Sequence, residues 1–483
     1  MKKTIVILLL LSLFCACIVG FCACNDNTPT SEIRYVKTDG AKIVDENGKP
    51  IGLYGTNLGG WLVQESWLVP TDVGSEYGQI DMMLTLANRF GEDGMRELLD
   101  VYENNWVSEL DLQRIKELGF NCVRIPFTYL NFMNVIKKDG EQYVRTPYGE
   151  LEINENGFSK LDWAIDTCKK HGLYVILDMH GAVGSQSGND HTGDIAYPNG
   201  GQLWQKDDIG QACREKTKEL WQFIANRYKD EPTVAVYDLL NEPGIKTNGN
   251  QSTASQFCQD YFDELYQAIR QIDKNHIISM ESCWTALELP APQTYGWQNV
   301  IYQYHHYNWA SSNVANSSYY TSLVSMNNFA TTRLGYNVPV LIGEFNVWGD
   351  NHSDKTAIDS NQTDEQAWSG VIELYCALGW NFTTWNFKHA AEHSSWGLFN
   401  YDGSVEKISE QANFFTMSKD EISSIWTRHN SQNYLVNQTL VDCIVPHLKD
   451  FNVNGNDNRT LEEIKADEIY YILTYDEISY DAD

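Results

Sequence analysis

Positive charge is scarce in this chain. Lys and Arg number 35 against 65 Asp and Glu over 483 residues, a formal net charge of −30. Such a surface repels polyphosphates and anionic polymers, which argues against nucleic acid as a partner and against substrates such as pectin. Metal-type cysteine spacing is missing too. Cys122, Cys168, Cys213, Cys258, Cys283, Cys376 and Cys443 stand isolated, with no CxxC pair and no histidine at ligand spacing. They read as buried thiols, with one or two disulfides as the alternative. A dinucleotide fingerprint is lacking, since Gly55-Thr56-Asn57-Leu58-Gly59-Gly60 does not fit GxGxxG. Internal repeats are absent. The expectation is a site without metal or cofactor.

Long apolar runs are equally few. One stands at the N-terminus, where Lys2 and Lys3 precede a continuous apolar stretch from Thr4 through Ala16. Its length is that of a signal peptide. Cys15, Cys17, Cys22 and Cys24 follow, then the polar Asn25-Asp26-Asn27. The segment resembles a bacterial lipoprotein signal. Cys24 is the expected lipidated residue, because the polar chain starts directly after it, and Cys17 is the other choice. An uncleaved anchor is the alternative, since apolar character up to Ala23 nearly spans a bilayer. Either way the protein is expected outside the cytoplasm, at the cell surface or in the periplasm. It would be a monomer that touches membrane only through its N-terminal lipid.

Aromatic residues, by contrast, are plentiful: 12% of the chain, including 15 Trp and 27 Tyr. Sugar rings have apolar faces that pack on indole, so a carbohydrate site would use them. Hydrophobic content of 42% is enough for a full core. Strand-like runs recur at Leu53–Asn57, Cys122–Phe127, Tyr174–His180, Val234–Glu242, His276–Glu281, Val300–Tyr307, Pro339–Phe345 and Asn381–Phe387. Helical periodicity lies between most of them, over Val107–Leu118, Leu161–His171, Lys216–Tyr228, Phe257–Ile272 and Glu365–Leu378. Gly119 and Gly172 stand where the first two helices should stop. Strand–helix alternation of this kind predicts an α/β fold, a (β/α)8 TIM barrel, over a doubly wound open sheet. Residues 1–24 are then the signal, 25–40 a polar tether and 41–430 the catalytic barrel. A hairpin turning at Asn47-Gly48 would precede the first barrel strand. Residues 431–483 form an acidic C-terminal appendage of no assigned role, with a helix expected over Thr439–Leu448.

Two of these runs stand out for the glutamates they deliver. Val234-Ala235-Val236-Tyr237-Asp238-Leu239-Leu240 leads into Asn241-Glu242-Pro243, and Val338-Pro339-Val340-Leu341-Ile342-Gly343 leads into Glu344. A glutamate closing an apolar strand is costly unless it is paired or used. In a parallel barrel the ends of strands four and seven face one mouth, so Glu242 and Glu344 can converge. Cleaving a glycosidic bond needs such a pair, one carboxyl to protonate the leaving oxygen and one to act at the anomeric carbon.

These motifs resemble glycoside hydrolase family 5, over roughly residues 40 to 410. Asn241-Glu242-Pro243 is similar to the family's acid/base motif and Ile342-Gly343-Glu344-Phe345 to its nucleophile motif. The resemblance implies Glu242 as proton donor and later base, and Glu344 as nucleophile. It implies that Arg124, in Val123-Arg124-Ile125-Pro126, pairs with the nucleophile's charge. His180, in Asp178-Met179-His180-Gly181, and His305, in His305-His306-Tyr307, would contact sugar. Tyr307 would donate to the nucleophile, Asn241 would bind the 2-hydroxyl, and Trp385 would floor the subsite beside the broken bond. Two longer stretches, Gly55 to Glu65 and His180 to Gly188, resemble the exo-β-1,3-glucanase branch, in which the acid matching Glu65 binds terminal glucose. The implied substrate is a β-linked glucan or oligosaccharide. Endo-β-1,4- or β-1,6-glucanase action is the alternative within the family, and a non-catalytic glycan-binding lipoprotein the alternative outside it.

Overall fold

The computed structural model describes residues 33–72, 77–195, 201–244, 251–282, 289–307, 336–346, 364–404 and 411–454. The signal-like segment with Cys17 and Cys24, Cys283, and the last part of the tail lie outside them.

Eight parallel strands close into a barrel. They are β1 (Tyr54–Asn57), β2 (Cys122–Thr128), β3 (Tyr174–Gly181), β4 (Val234–Asp238), β5 (Ile277–Ser282), β6 (Val300–Tyr307), β7 (Val340–Asn346) and β8 (Asn381–Thr384). Each pairs with its neighbour in sequence, and β8 closes on β1 through Phe382–Tyr54 and Thr384–Thr56. Every residue of β2 through β7 is buried. That explains the near-continuous apolar runs, because strands covered on both faces show no polar alternation.

β4 leaves the ladder at Asp238, short of the expected Glu242. Residues 239–242 continue as irregular backbone, with the Asn241 N–H donating to the Met179 carbonyl. Glu242 takes a positive φ of 42°, so its side chain is aimed by a turn and not by strand alternation. Two register shifts aim other site residues. On β7, Tyr304 pairs with Ile342 and His305 with Glu344, which leaves Gly343 as the extra residue of a bulge. On β3, Phe127 pairs with Met179 and Thr128 with Gly181, and His180 is the extra one. A bulge re-aims the side chains beside it. A Cβ on Gly343 would come within 2.6 Å of the Gln303 side chain, so the bulge accepts only glycine without displacing Gln303.

Helices surround the barrel. Ser159–His171 ends at Gly172 in the left-handed conformation, φ 67°, as its sequence predicts. The expected helix over Val107–Leu118 forms at Glu109–Glu117, where Ser108 and Asp111 make a capping box. The 28-residue helix Gln79–Trp106 ahead of it is a departure from expectation. A break at Gly91 splits it into two shorter amphipathic stretches and hides the long periodicity. An antiparallel hairpin, Ile136–Asp139 with Gln142–Arg145, was equally invisible in the pattern.

At the N-terminal end of the strands, the hairpin Val36–Asp39 and Lys42–Asp45 plugs the barrel. Val36 and Ile43 join an apolar cluster with Leu53, Ile176, Val236, Ile301 and Leu341. Residues 431–454 pack on the same body. The expected helix appears as Gln438–Ile444 followed by a 3-10 turn, Val445–Asp450, with Pro446 near its start. Phe451 lies against Gly52 and Tyr54, its ring 5.2 Å from that of Tyr54. Cys122, Cys168, Cys213 and Cys376 are buried free thiols. Among the described residues no helix is long and apolar enough to cross a membrane.

Candidate active site

The C-terminal strand ends bring the carboxylates together. One oxygen of Glu242, one of Glu344 and a ring nitrogen of His305 all lie within 4.8 Å of one another. A gap of that size fits the ~5–5.5 Å of double-displacement sites better than the ~6.5–9.5 Å of inverting ones.

Arg124, at the centre of β2, organises the floor. It is fully buried, and its guanidinium reaches residues on or just after β1, β3, β4 and β7. Nε donates to Asp238 at 2.9 Å, Nη1 to Glu344 at 2.8 Å and to Asn57 at 3.1 Å, and Nη2 to Asn241 at 2.9 Å. Nη2 also lies 3.1 Å from Asp178. Burial disfavours its charge, but Asp178, Asp238 and Glu344 outweigh burial and raise it well above its ordinary value. The Tyr307 hydroxyl donates to the other oxygen of Glu344 at 2.6 Å.

Two histidines flank the pair. The His180 Nδ1 meets Asp178 at 2.7 Å, and its ring stacks on Trp385 with centroids 5.4 Å apart and planes 7° from parallel. Burial pushes His180 down to about 3, so its ring is neutral. Asp178, also raised by burial and only partly offset by Arg124, sits at about 7. His305 behaves in the opposite way. Its Nδ1 is 2.8 Å from Glu242 and 3.5 Å from Glu344. Burial opposes its charge, yet Glu281, Glu344 and Glu242 lift it to about 10. Burial likewise opposes the charge of Glu242, but the His305 hydrogen bond prevails and carries it down to about 2. Both shifts act in the same direction, toward an ion pair of His305 with Glu242.

Glu65 is buried at the same mouth. Trp67 Nε1 donates to its Oε2 at 2.9 Å, while its buried Oε1 has no hydrogen-bond partner among the described residues. Burial and then the charge of Asp190 push it well above the usual carboxylate range. Trp67 itself is 43% exposed and packs edge-on against Trp396, which in turn packs against Tyr307.

Arg124, His180, Asn241, Glu242, His305, Tyr307, Glu344 and Trp385 therefore surround one point, with Glu65 beside it. Sequence reasoning passed over Asp178, Asp238, Gln303, Glu281 and His191. Gln303 donates to both Asp238 (3.0 Å) and Glu281 (2.9 Å). His191 bonds Ser187 and reaches within 4.0 Å of Glu242. Glu281 carried a readable signal, since it closes an apolar strand just as Glu344 does. Asp238 lies inside its run, where a polar residue looks like noise until the barrel closes around it.

The model of the Cellulase family, glycosyl hydrolase family 5, matches residues 89–391. Among curated proteins, a beta-xylosidase of Phanerodontia chrysosporium is 29% identical over 277 residues, 57% of this chain and 52% of that one. A probable glucan 1,3-beta-glucosidase A of Neosartorya fischeri is 29% identical over 301 residues, 60% of this chain and 64% of that one. Its namesake from Emericella nidulans is 32% identical over 260 residues, 52% and 56% of the two chains. The chain thus spans between half and two thirds of the length of these relatives. A rutinosidase of Aspergillus niger (TM-score 0.52, 14% identity, 78% of this chain and 98% of that one) is similar in fold. So is an endogalactoceramidase (TM-score 0.51, 17% identity, 74% and 75%).

Proposed function

This chain belongs to glycosyl hydrolase family 5, and on that premise we propose that it is a retaining β-glucan hydrolase that removes glucose from the ends of β-1,3-linked chains. The observation that carries the reading is the close approach of Glu242 and Glu344 under the Arg124 floor.

Glu344, oriented by Arg124 and Tyr307, attacks the anomeric carbon as the bond to the leaving oxygen breaks. Glu242 delivers a proton to that oxygen. In the free protein this proton sits on His305 Nδ1, a single hydrogen bond of 2.8 Å away from Glu242. Substrate that fills the mouth and displaces water favours its transfer to the carboxylate, because a neutral acid–imidazole pair costs less than an ion pair in a dry site. The resulting glycosyl ester is then attacked by water, whose proton goes to Glu242, and Glu344 leaves as carboxylate. Neutral His180, held by Asp178, and Asn241 are placed to bond the sugar.

Terminal action is supported by Glu65. It lies within electrostatic reach of Glu242 and Glu344, and its hydrogen-bond partner Trp67 is exposed, an indole on which a terminal sugar ring can stack. The β-1,3 preference rests on the first-strand and third-strand stretches and on relatives named glucan 1,3-beta-glucosidase. Digestion of laminarin, pustulan and carboxymethylcellulose tests it. Glucose as the sole early product from laminarin is expected, and a ladder of oligosaccharides would replace exo with endo action. Faster turnover of an aryl β-xyloside than of the aryl β-glucoside would move the substrate class. Export as a lipoprotein belongs to the same reading. Radiolabelled palmitate should enter the wild-type protein and be lost in Cys24→Ala, or in Cys17→Ala if that residue is the one modified.

A further inference from the structure

A buried carboxyl on β5 has no place in that scheme. Glu281 is sealed from solvent, yet no arginine or lysine side chain is within ion-pair distance of it among the described residues. The Gln303 amide donates to its Oε2 at 2.9 Å, and its Oε1 has no hydrogen-bond partner among the described residues. An apolar side chain would close the barrel at lower cost. What Glu281 faces is His305: its Oε2 is 3.5 Å from Nε2, a close approach short of a hydrogen bond to a nitrogen that has no hydrogen-bond partner among the described residues, on the opposite edge of the ring from the 2.8 Å contact of Nδ1 with Glu242. The result is a line of carboxyl, imidazole and carboxylate that ends at the proposed proton donor.

We propose that Glu281 is a positioning residue, acting through His305 to keep the Nδ1 nitrogen a proton donor toward Glu242. This rests on the hydrolase reading of the site. A proton on the Glu281–Nε2 edge forces the second proton to Nδ1, whether the first is written on oxygen or on nitrogen. Without a carboxyl there, the imidazole can adopt the tautomer with its proton on Nε2, and its lone pair then faces the carboxylate of Glu242. Burial pushes Glu281 well above the usual range against the opposing charge of His305, and Glu281 is the first of the charges that raise His305, so the two titrate as one pair. The groups facing the ring from the surrounding strands are Glu242 after β4, Glu281 on β5, Tyr307 on β6 itself and Glu344 on β7. Arg124 and Asp238 lie behind Gln303. His180 shows the same device on the other side, where Asp178 fixes one edge of its ring.

The direct test is the 15N spectrum of histidine-labelled full-length protein from pH 5 to 8, with His305 assigned by its absence in His305→Asn. Nδ1 should carry a proton throughout, and an unprotonated Nδ1 anywhere between pH 6 and 8 overturns the proposal. On an aryl β-glucoside, Glu281→Leu should lower kcat at least tenfold with KM changed less than twofold. Glu281→Gln can still present an N–H to Nε2 and should recover kcat to within threefold of wild type. A Leu variant that keeps kcat, or a folded Gln variant whose Nδ1 has lost its proton, also overturns it. If Glu281→Leu does not fold, the wild-type spectrum decides alone. A wild type that turns over no aryl β-glycoside removes the hydrolase reading and leaves the spectral test standing.

Discussion

The two ends of the barrel are made by the same eight strands, yet they obey opposite rules. At the N-terminal end, Leu53, Ile176, Val236, Ile301 and Leu341 fill the interior beneath the Val36–Asp45 hairpin, with no charge among them. At the C-terminal end the interior holds Arg124, Asp178, Asp238, Glu281, His305 and Glu344, all buried. Apolar burial stabilises at the first end. At the second, buried charges gather around Arg124 and His305, which is where a catalytic centre would keep its groups primed. One end therefore supplies the rigidity that the other consumes.

Breaking the second end without the first is the sharpest separation. Glu344→Gln should reduce kcat at least about 10³-fold, since it removes the attacking atom. Its thermal midpoint should stay within a few degrees of wild type, because one of the crowded carboxylates is neutralised while Arg124 keeps Asp178 and Asp238 as partners. A variant that melts early would show that the charged end also stabilises the fold.

Arg124→Met should damage both properties. Asp178, Asp238 and Glu344 would lose their shared cation in a dry interior, at a cost of about 3–5 kcal/mol. Urea denaturation measures the loss, and activity should vanish with it. Ile301→Ala is the converse. Removing a fully buried side chain from the apolar end of the barrel should cost roughly 2–5 kcal/mol. Activity per folded molecule, measured well below the melting point, should remain within about twofold of wild type.

The smallest effect is a pH dependence carried by the upper end alone. The folded value of His305, about 10, lies above the ~6.5 of an unfolded histidine. Its contribution to stability is therefore complete below pH ~6.5 and is lost as pH rises through about 10. Glu242, at about 2 against ~4.3 unfolded, contributes above pH ~4.3 and loses its contribution as pH falls through about 2. These are two faces of one ion pair and count once. Urea midpoints from pH 6 to 10 should decline in wild type and in Ile301→Ala, and decline less in His305→Asn.

Much of this arrangement was legible in the residues. All eight barrel strands stand where apolar runs predicted them, because a strand buried on both faces writes itself as a continuous run. Gly172 stopped its helix as foreseen. The long helix Gln79–Trp106 was not seen, since Gly91 interrupts its period, and the 136–145 hairpin was too polar to stand out. Within the site, glutamates after apolar strands were a usable signal for Glu242 and Glu344. The same signal at Glu281 went unused, because strand position alone does not say what a carboxyl faces.

The sequence by itself determined the barrel, the carboxylates at its strand ends and the family, because strand periodicity and local motifs are properties of neighbouring residues. Tertiary structure alone decided which carboxyls meet, which of them share Arg124 and which of them His305 joins. Those depend on distances across the closed barrel, between residues as far apart as Arg124 and Glu344, and on burial that exists only once the ring of strands is complete.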